Sequence, residues 1–343
     1  MKKASAPGKC IIIGEHSVVY GEPAILAAVG LRTTIEAEKS DVVRYRDSRW
    51  GHDDSFSLEE VKSTTDETLS LWNKCAEQKN FSPLFEFIKQ DKYANYKKAT
   101  VGLVLEKLGI NGGISVNIES NIPAGAGIGS SASLAVAGVQ AIAAEYEKPV
   151  TLDEINEIAF ALEQLIHGTP SGGDNSACCF GRVIWFQKSA PKNIINPLAN
   201  EVPYKLENFV LVYTKPPEKN TGELVQLVRN LDESFRTPRV KDLGRMTHQM
   251  LEALKKKDIT AIQSLMNKTQ KNLAELGVSI PEIDEIASAV REIGGAAKLC
   301  GAGGGGIMLC HHENKEKLMD IISSLGYEPI ETDLSAEGVK IEN

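Results

Sequence analysis

The sequence has no apolar run near the ~20 residues that a bilayer-spanning helix needs, which excludes a membrane protein of that kind. It also has no surplus of positive charge. With 38 lysines and arginines against 46 aspartates and glutamates, the net charge is −8. Long-range attraction to nucleic acid or anionic lipid is therefore excluded, and an anionic ligand must be held by local groups. The six cysteines, Cys10, Cys75, Cys178, Cys179, Cys300 and Cys310, include no C-x-x-C pair. That argues against a zinc knuckle or a thioredoxin-type site and leaves reduced, mostly buried thiols as the expectation. His311-His312 lack a spaced third ligand and read as surface histidines. Internal repeats and low-complexity segments are absent. After Met1-Lys2-Lys3, only the short apolar run from Cys10 to Ile13 precedes Glu15 and His16, too little for a secretory core, so a cytoplasmic protein is expected.

What is present is a chain of 343 residues, 42% hydrophobic and 24% charged, an ordinary globular balance. Its length exceeds one core of ~150 residues, so two domains are expected. The Pro- and Asn-rich stretch 190–203 reads as their connector, dividing the chain into 1–188 and 189–343. Strands are expected over 9–13, 114–118, 183–186, 209–213 and 307–310, where apolar residues run together or alternate with polar ones. Helices are expected over 130–147, 151–167, 221–231, 239–256, 258–276, 281–293 and 313–325. Residues 41–98 are polar and weakly periodic, with helix expected only around 66–78 and 83–90, and carry no recognisable chemistry.

Three places carry chemistry. The strand ending near Ile118 leads through Pro123-Ala-Gly-Ala-Gly-Ile-Gly129 into an alanine-rich helix beginning at Ser130. Glycines let backbone amides approach a ligand, and a helix N-terminus offers unpaired N–H groups and a favourable dipole, which together make an anion cradle. Ser130 and Ser131 can cap that helix or coordinate a magnesium ion. The second place is Glu163-x-x-x-His167-Gly-Thr-Pro-Ser-Gly-Gly-Asp174-Asn175. Its turn can bring Asp174 back towards Glu163, giving two carboxylates that divide metal binding and substrate contact; the alternative is a solvated helix-end glutamate and an Asx-turn aspartate. The third is Lys9, at the start of a strand that ends in Glu15-His16. Beside a substrate hydroxyl and a phosphate, such a lysine lowers the alcohol's pKa and neutralises developing charge. Gly8-Lys9 is no Walker A sequence. The loop Gly301–Gly306 formally fits G-x-G-x-x-G but continues into a strand rather than a helix, which favours close backbone approach to a ligand or another loop over dinucleotide binding.

Taken together, three segments resemble the GHMP kinase family and occur in family order. They are Ser5-Ala-Pro-Gly-Lys9 with Gly14-Glu-His16, then Pro123 to Ala132, then Lys298-Leu-Cys-Gly-Ala-Gly-Gly-Gly-Gly306. Gly14-Glu-His-Ser-Val-Val-Tyr-Gly21 and Ile166-His-Gly-Thr-Pro-Ser-Gly-Gly-Asp-Asn175 are similar to the branch whose acceptor is mevalonate. The resemblance implies a two-domain α+β fold, ribosomal S5 domain 2-like followed by ferredoxin-like, with the site in the cleft between them. It implies ATP and magnesium, and transfer of the γ-phosphoryl group to the 5-hydroxyl of mevalonate. Carried over by position, Asp174 is the catalytic aspartate and Lys9 its partner, and Ser131 and Glu163 are magnesium ligands. Pro123, Ala124, Gly125, Ala126, Gly127, Ile128, Gly129, Ser130, Ser131 and Ala132 form the phosphate loop. Glu15, His16, Thr221, Gly301 and Ala302 lie near the substrate. Cys300 stands where many relatives have threonine, and Gly173 where a larger residue is usual. Alternatives are another kinase of the family, acting on phosphomevalonate or a sugar, and a non-catalytic nucleotide-binding sensor. The retention of Lys9, Glu163 and Asp174 weighs against the sensor. A homodimer is compatible with the sequence.

Overall fold

The computed structural model describes residues 1–123 and 125–342; Ala124 of the expected phosphate loop lies outside them. Alternating small and branched residues make a long first strand, β1 (Lys2–Ile13), that pairs antiparallel with β2 (Pro23–Ser40). The turn between them needs Gly14, with φ of 114°, because a Cβ there would lie 2.5 Å from the Cα of Ala24. A hairpin follows, β3 (Val43–Asp47) and β4 (His52–Phe56), then α1 (Leu58–Gln78), opened by a Ser57–Glu60 capping box. Next is α2 (Ser82–Lys107), whose helical geometry breaks at Gln90–Tyr93. β5 (Gly113–Ser120), α3 (Ser130–Glu145), α4 (Leu152–His167), α5 (Gly173–Phe180), β6 (Val183–Gln187) and β7 (Ile194–Pro197) complete the first run of elements.

These strands form an eight-stranded sheet, β12-β1-β2-β5-β3-β4, with β6 on β2 and β7 on β6. β12 (Lys340–Glu342) comes from the far end of the chain. Between these runs lie β8 (Phe209–Tyr213), α6 (Thr221–Arg229), α7 (Glu233–Lys256), α8 (Ile259–Glu275), α9 (Pro281–Glu292), β9 (Ala296–Leu299), β10 (Ile307–His311), α10 (Lys315–Ser324) and β11 (Pro329–Glu331). The second sheet, β11-β8-β10-β9, is antiparallel throughout. Its β-α-β-β-α-β order is ferredoxin-like, with four helices in the first crossover. One apolar cluster runs through the seam between the sheets, joining Cys10, Ile12, Ile25 and Val29 to Leu211, Met250 and Leu309. A second lies under α3, where Ala132, Val136 and Val139 meet Ile35, Ala37 and Ile118. Among the described residues no helix is long and apolar enough to cross a membrane.

Several expectations are corrected. The stretch 41–57 is a strand hairpin, because Val43, Tyr45 and Asp47 face inward while Arg44 and Arg46 face out. α1 begins well before residue 66, and α2 runs on to Lys107. The expected connector contains β7, and the chain returns as β12, so the first sheet extends past the division drawn at 188/189. His311 is buried rather than superficial: it packs on Phe209 with ring centroids 4.5 Å apart, and its Nδ1 lies 3.0 Å from the Gln263 amide. All six cysteines are buried and unbridged, as expected.

Candidate active site

Four elements of the first domain converge. Lys9 lies on buried β1, and its backbone N–H donates to the Ile128 carbonyl at 2.9 Å, fixing the glycine loop against the strand. In that loop Gly125, Gly127 and Gly129 take φ of 72°, 81° and 78°. A Cβ at Gly125 or Gly127 would meet nothing within 4 Å, so this backbone faces open space. Gly129 is the N-cap of α3, and no side chain caps the helix. The first amides of α3 therefore lack intrahelical acceptors. The Ser133 hydroxyl donates to the Ala6 carbonyl at 2.6 Å, holding α3 on β1.

α4 starts at a Thr151–Glu154 capping box and carries Glu163 inward beside Leu162. Glu163 is only 3% exposed, which excludes the solvated helix-end reading. The Ser131 hydroxyl donates to its Oε2 at 3.2 Å, while Oε1 is buried without a partner. Burial first, and the nearby Asp174 carboxylate second, push Glu163 up to about 8, against the opposing pull of Ser131 and Lys9. Asp174 sits in the first turn of α5 after Gly172, whose φ is 89°. Asn175 ties that turn to α4, donating to Asn156 Oδ1 at 2.7 Å. The result is an ion pair, with Lys9 Nζ 3.1 Å from Asp174 Oδ2. Burial acts to lower the Lys9 pKa, but attraction and hydrogen bonding to Asp174 outweigh it and raise the value, keeping the ammonium charged.

The second domain closes the site from the other side. Lys298 on β9 forms a fully buried ion pair with Glu15 Oε1, and His16 Nε2 is hydrogen-bonded to the Ala302 carbonyl at 2.9 Å. A Cβ at Gly303 would lie 2.2 Å from the Val278 carbonyl oxygen, and one at Gly305 2.6 Å from that of Lys215. Much of this glycine loop thus serves close approach to other backbone, while Gly301 stands in open space. Thr221 opens α6 and is exposed; no hydrogen bond joins its side chain to the other expected site residues among the described ones.

A cationic strand lysine, two carboxylates and a glycine-rich helix entrance thus lie together. Residues 95–182 match the family model described as GHMP kinases N terminal domain, and residues 250–328 the one described as GHMP kinases C terminal. A mevalonate kinase of Thermococcus sibiricus is 34% identical, over 99% of this chain and 98% of its own length. The chain belongs to the GHMP kinase family. Another relative, a mevalonate kinase of Pyrococcus furiosus, is 33% identical over the same shares of the two chains. The crystal structure of the Methanococcus jannaschii mevalonate kinase superposes with a TM-score of 0.78 at 26% identity, covering 99% of this chain and 98% of that one.

Three further residues of this GHMP kinase shape the site. His167 places Nε2 3.2 Å from the Ser131 hydroxyl and 3.6 Å from Glu163 Oε2. Burial lowers its pKa, so the ring is neutral and a hydrogen-bonding partner rather than a cation. Its signal was its i+4 spacing from Glu163. Asn156 orients α5, and nothing in its local sequence marks it. Lys298 stood inside the third motif, yet only the fold gives it a partner.

Proposed function

We propose that this chain transfers the γ-phosphoryl group of ATP to the 5-hydroxyl of mevalonate, giving 5-phosphomevalonate and ADP. The observation that carries the reading is the 3.1 Å Lys9–Asp174 pair beside the open N-terminus of α3. The family and the mevalonate kinases resembling this chain over nearly its whole length supply the acceptor. The α3 amides and the 125–129 backbone hold phosphate oxygens by charge-assisted hydrogen bonds. Asp174 accepts or orients the proton of the 5-hydroxyl, whose oxygen forms the new P–O bond as the bond to the β-phosphate oxygen breaks and ADP leaves. Lys9 offsets the charge developing around the transferred group. Glu15, His16, Gly301 and Ala302 line the acceptor side, and Thr221 approaches from α6.

Magnesium fits the residues present. A buried carboxylate with one unpartnered oxygen, beside a serine hydroxyl, is a hard-oxygen donor set that wants a cation. Ser131 and Glu163 would hold the ion, which when bound neutralises phosphate charge. The experiment is ADP release with mevalonate as the only acceptor, run beside phosphomevalonate, galactose and homoserine, with the product identified by phosphorus NMR. Turnover confined to mevalonate is expected. Turnover with another alcohol, or none, rejects the assignment.

A further inference from the structure

The arm made by α1 and the start of α2 holds none of the site residues, yet it ends on the turn that joins the two site carboxylates. Cys75, Leu84 and Ile88 are buried in it, with Trp72, Phe81 and Phe85 packed around them, in a small apolar cluster separate from the large ones. The break at Gln90–Tyr93 divides these first turns of α2 from the stretch whose Ala99, Leu103 and Val104 belong to the main core. Two aromatic rings of the arm meet Gly168. The Trp72 indole N–H donates to the Gly168 carbonyl at 3.1 Å, and a Cβ on Gly168 would lie 2.6 Å from Phe81 Cγ. The two rings are themselves an aromatic pair, with centroids 6.4 Å apart. Gly168 is where α4 stops, and residues 168–172 carry the chain on to α5 and Asp174. Gly168 and Gly172 both take positive φ, 67° and 89°, so the turn has little stiffness of its own. Among the described residues, two hydrogen bonds tie it to anything beyond α4, α5 and itself. One is that of Trp72 at its first residue; in the other, the Asn193 amide donates to the Ser171 carbonyl at 2.8 Å.

We propose that Trp72 is a positioning residue for phosphoryl transfer: its indole N–H pins Gly168 and so sets where α5 presents Asp174 to Lys9 and the acceptor hydroxyl. Trp72 itself touches no substrate. This rests on the phosphoryl-transfer reading of the site, and it gives the α1–α2 arm a part in the reaction. A shift of about 1 Å in a reacting group is worth up to ~100-fold in rate, so a tether one turn away from Asp174 has leverage. The 125–129 backbone is held on β1 instead, through the Lys9 N–H and the Ile128 carbonyl, so nucleotide binding is left as it was.

The test is a double-mutant cycle on Trp72→Phe and Asp174→Asn, run with whichever of the four alcohols the wild-type chain phosphorylates and read by kcat, both KM values and melting. Phenylalanine keeps an aromatic ring in place and deletes the N–H. Trp72→Phe is expected to lower kcat about 10-fold, with both KM values within about 3-fold of wild type and melting lowered by a few degrees at most. In the Asp174→Asn background the same change is expected to cost less than about 2-fold, because the group that Trp72 positions is already gone. An equal loss in both backgrounds would make Trp72 merely structural and overturn the proposal. So would an unchanged kcat, or a rise in KM for ATP that matches the fall in kcat. Should Trp72→Phe not fold, Phe81→Leu, which keeps the N–H and loosens the packing on Gly168, goes through the same cycle with the same expectation; failure of both to fold overturns the proposal. The wild-type chain separates the two readings. No turnover of any of the alcohols rejects the functional reading and this proposal with it, whereas normal wild-type turnover beside an unaffected Trp72→Phe rejects the role of Trp72 alone.

Discussion

Replacing Asp174 with Asn removes one charge and keeps the side chain's shape, and the structure says how the loss divides between folding and catalysis. At 3.1 Å the Lys9–Asp174 attraction is roughly 5 kcal/mol with an effective dielectric constant of ~20. The Asp174 side chain is 41% exposed, however, and solvent screening brings the net contribution to folding down to about 1 kcal/mol. Melting should therefore fall by only ~2 °C. Loss of a group that handles the hydroxyl proton costs about 10²- to 10⁴-fold in kcat, or ~3–5 kcal/mol. The catalytic deficit exceeds the stability deficit, so unfolding cannot account for it. The ion pair has a second consequence. Because Lys9 is raised above the ordinary lysine value, the pair's stabilisation is fully present below about pH 10.5 and is lost as pH rises through the raised value. The Lys9 share of the gap between wild type and variant should accordingly close only in strong alkali, while between about pH 4.5 and 8 the variant should lose less stability than wild type, because Asp174 also helps to push Glu163 up. ADP release, calorimetric ATP affinity and melting curves at several pH values test all of this. A variant with kcat within 10-fold of wild type, or one that loses ATP affinity in parallel with rate, refutes the reasoning.

Two other substitutions probe neighbouring parts of the site. Glu163, pushed up to about 8, binds its proton more tightly when folded, so the ligand-free protein should lose stability as pH rises from about 4.5 to 8. Glu163→Gln removes that dependence, and its advantage in unfolding free energy should grow across the window to a few kcal/mol at most, read from denaturant melts at each pH; parallel pH profiles would mean the carboxylate is not buried and unpaired. Gly129→Ala places a Cβ 2.9 Å from Lys9 Cγ at a φ of 78°, which costs about 1–2 kcal/mol and displaces the lysine. Its kcat should drop about 10-fold or more with the fold intact by circular dichroism, whereas unchanged turnover would show that Lys9 tolerates the shift.

The amino-acid sequence by itself determined the local elements and the local chemistry. Thr151 and Glu154 announce the start of α4 because a capping box satisfies amides within four residues of chain. Ile114, Val116 and Ile118 mark β5 by alternation, and the glycines before Ser130 mark a backbone free to meet a ligand. Only the tertiary structure decided which charges are buried and with whom. Glu163 looks like a helix-end carboxylate until α3 and α5 close over it, and that enclosure, with the Asp174 carboxylate that α5 brings near, moves its pKa. Lys298 and Glu15 lie 283 residues apart, and no local pattern links them. β3 read only as polar, weakly periodic chain because the parallel partner that sets it in the sheet, β5, arrives after two helices, and β12 gains its place from β1 at the far end of the chain. Hydrogen-bond geometry and apolar spacing act over a few residues and can be read in order; desolvation and ion pairing act through space, and exist only once the two sheets have met.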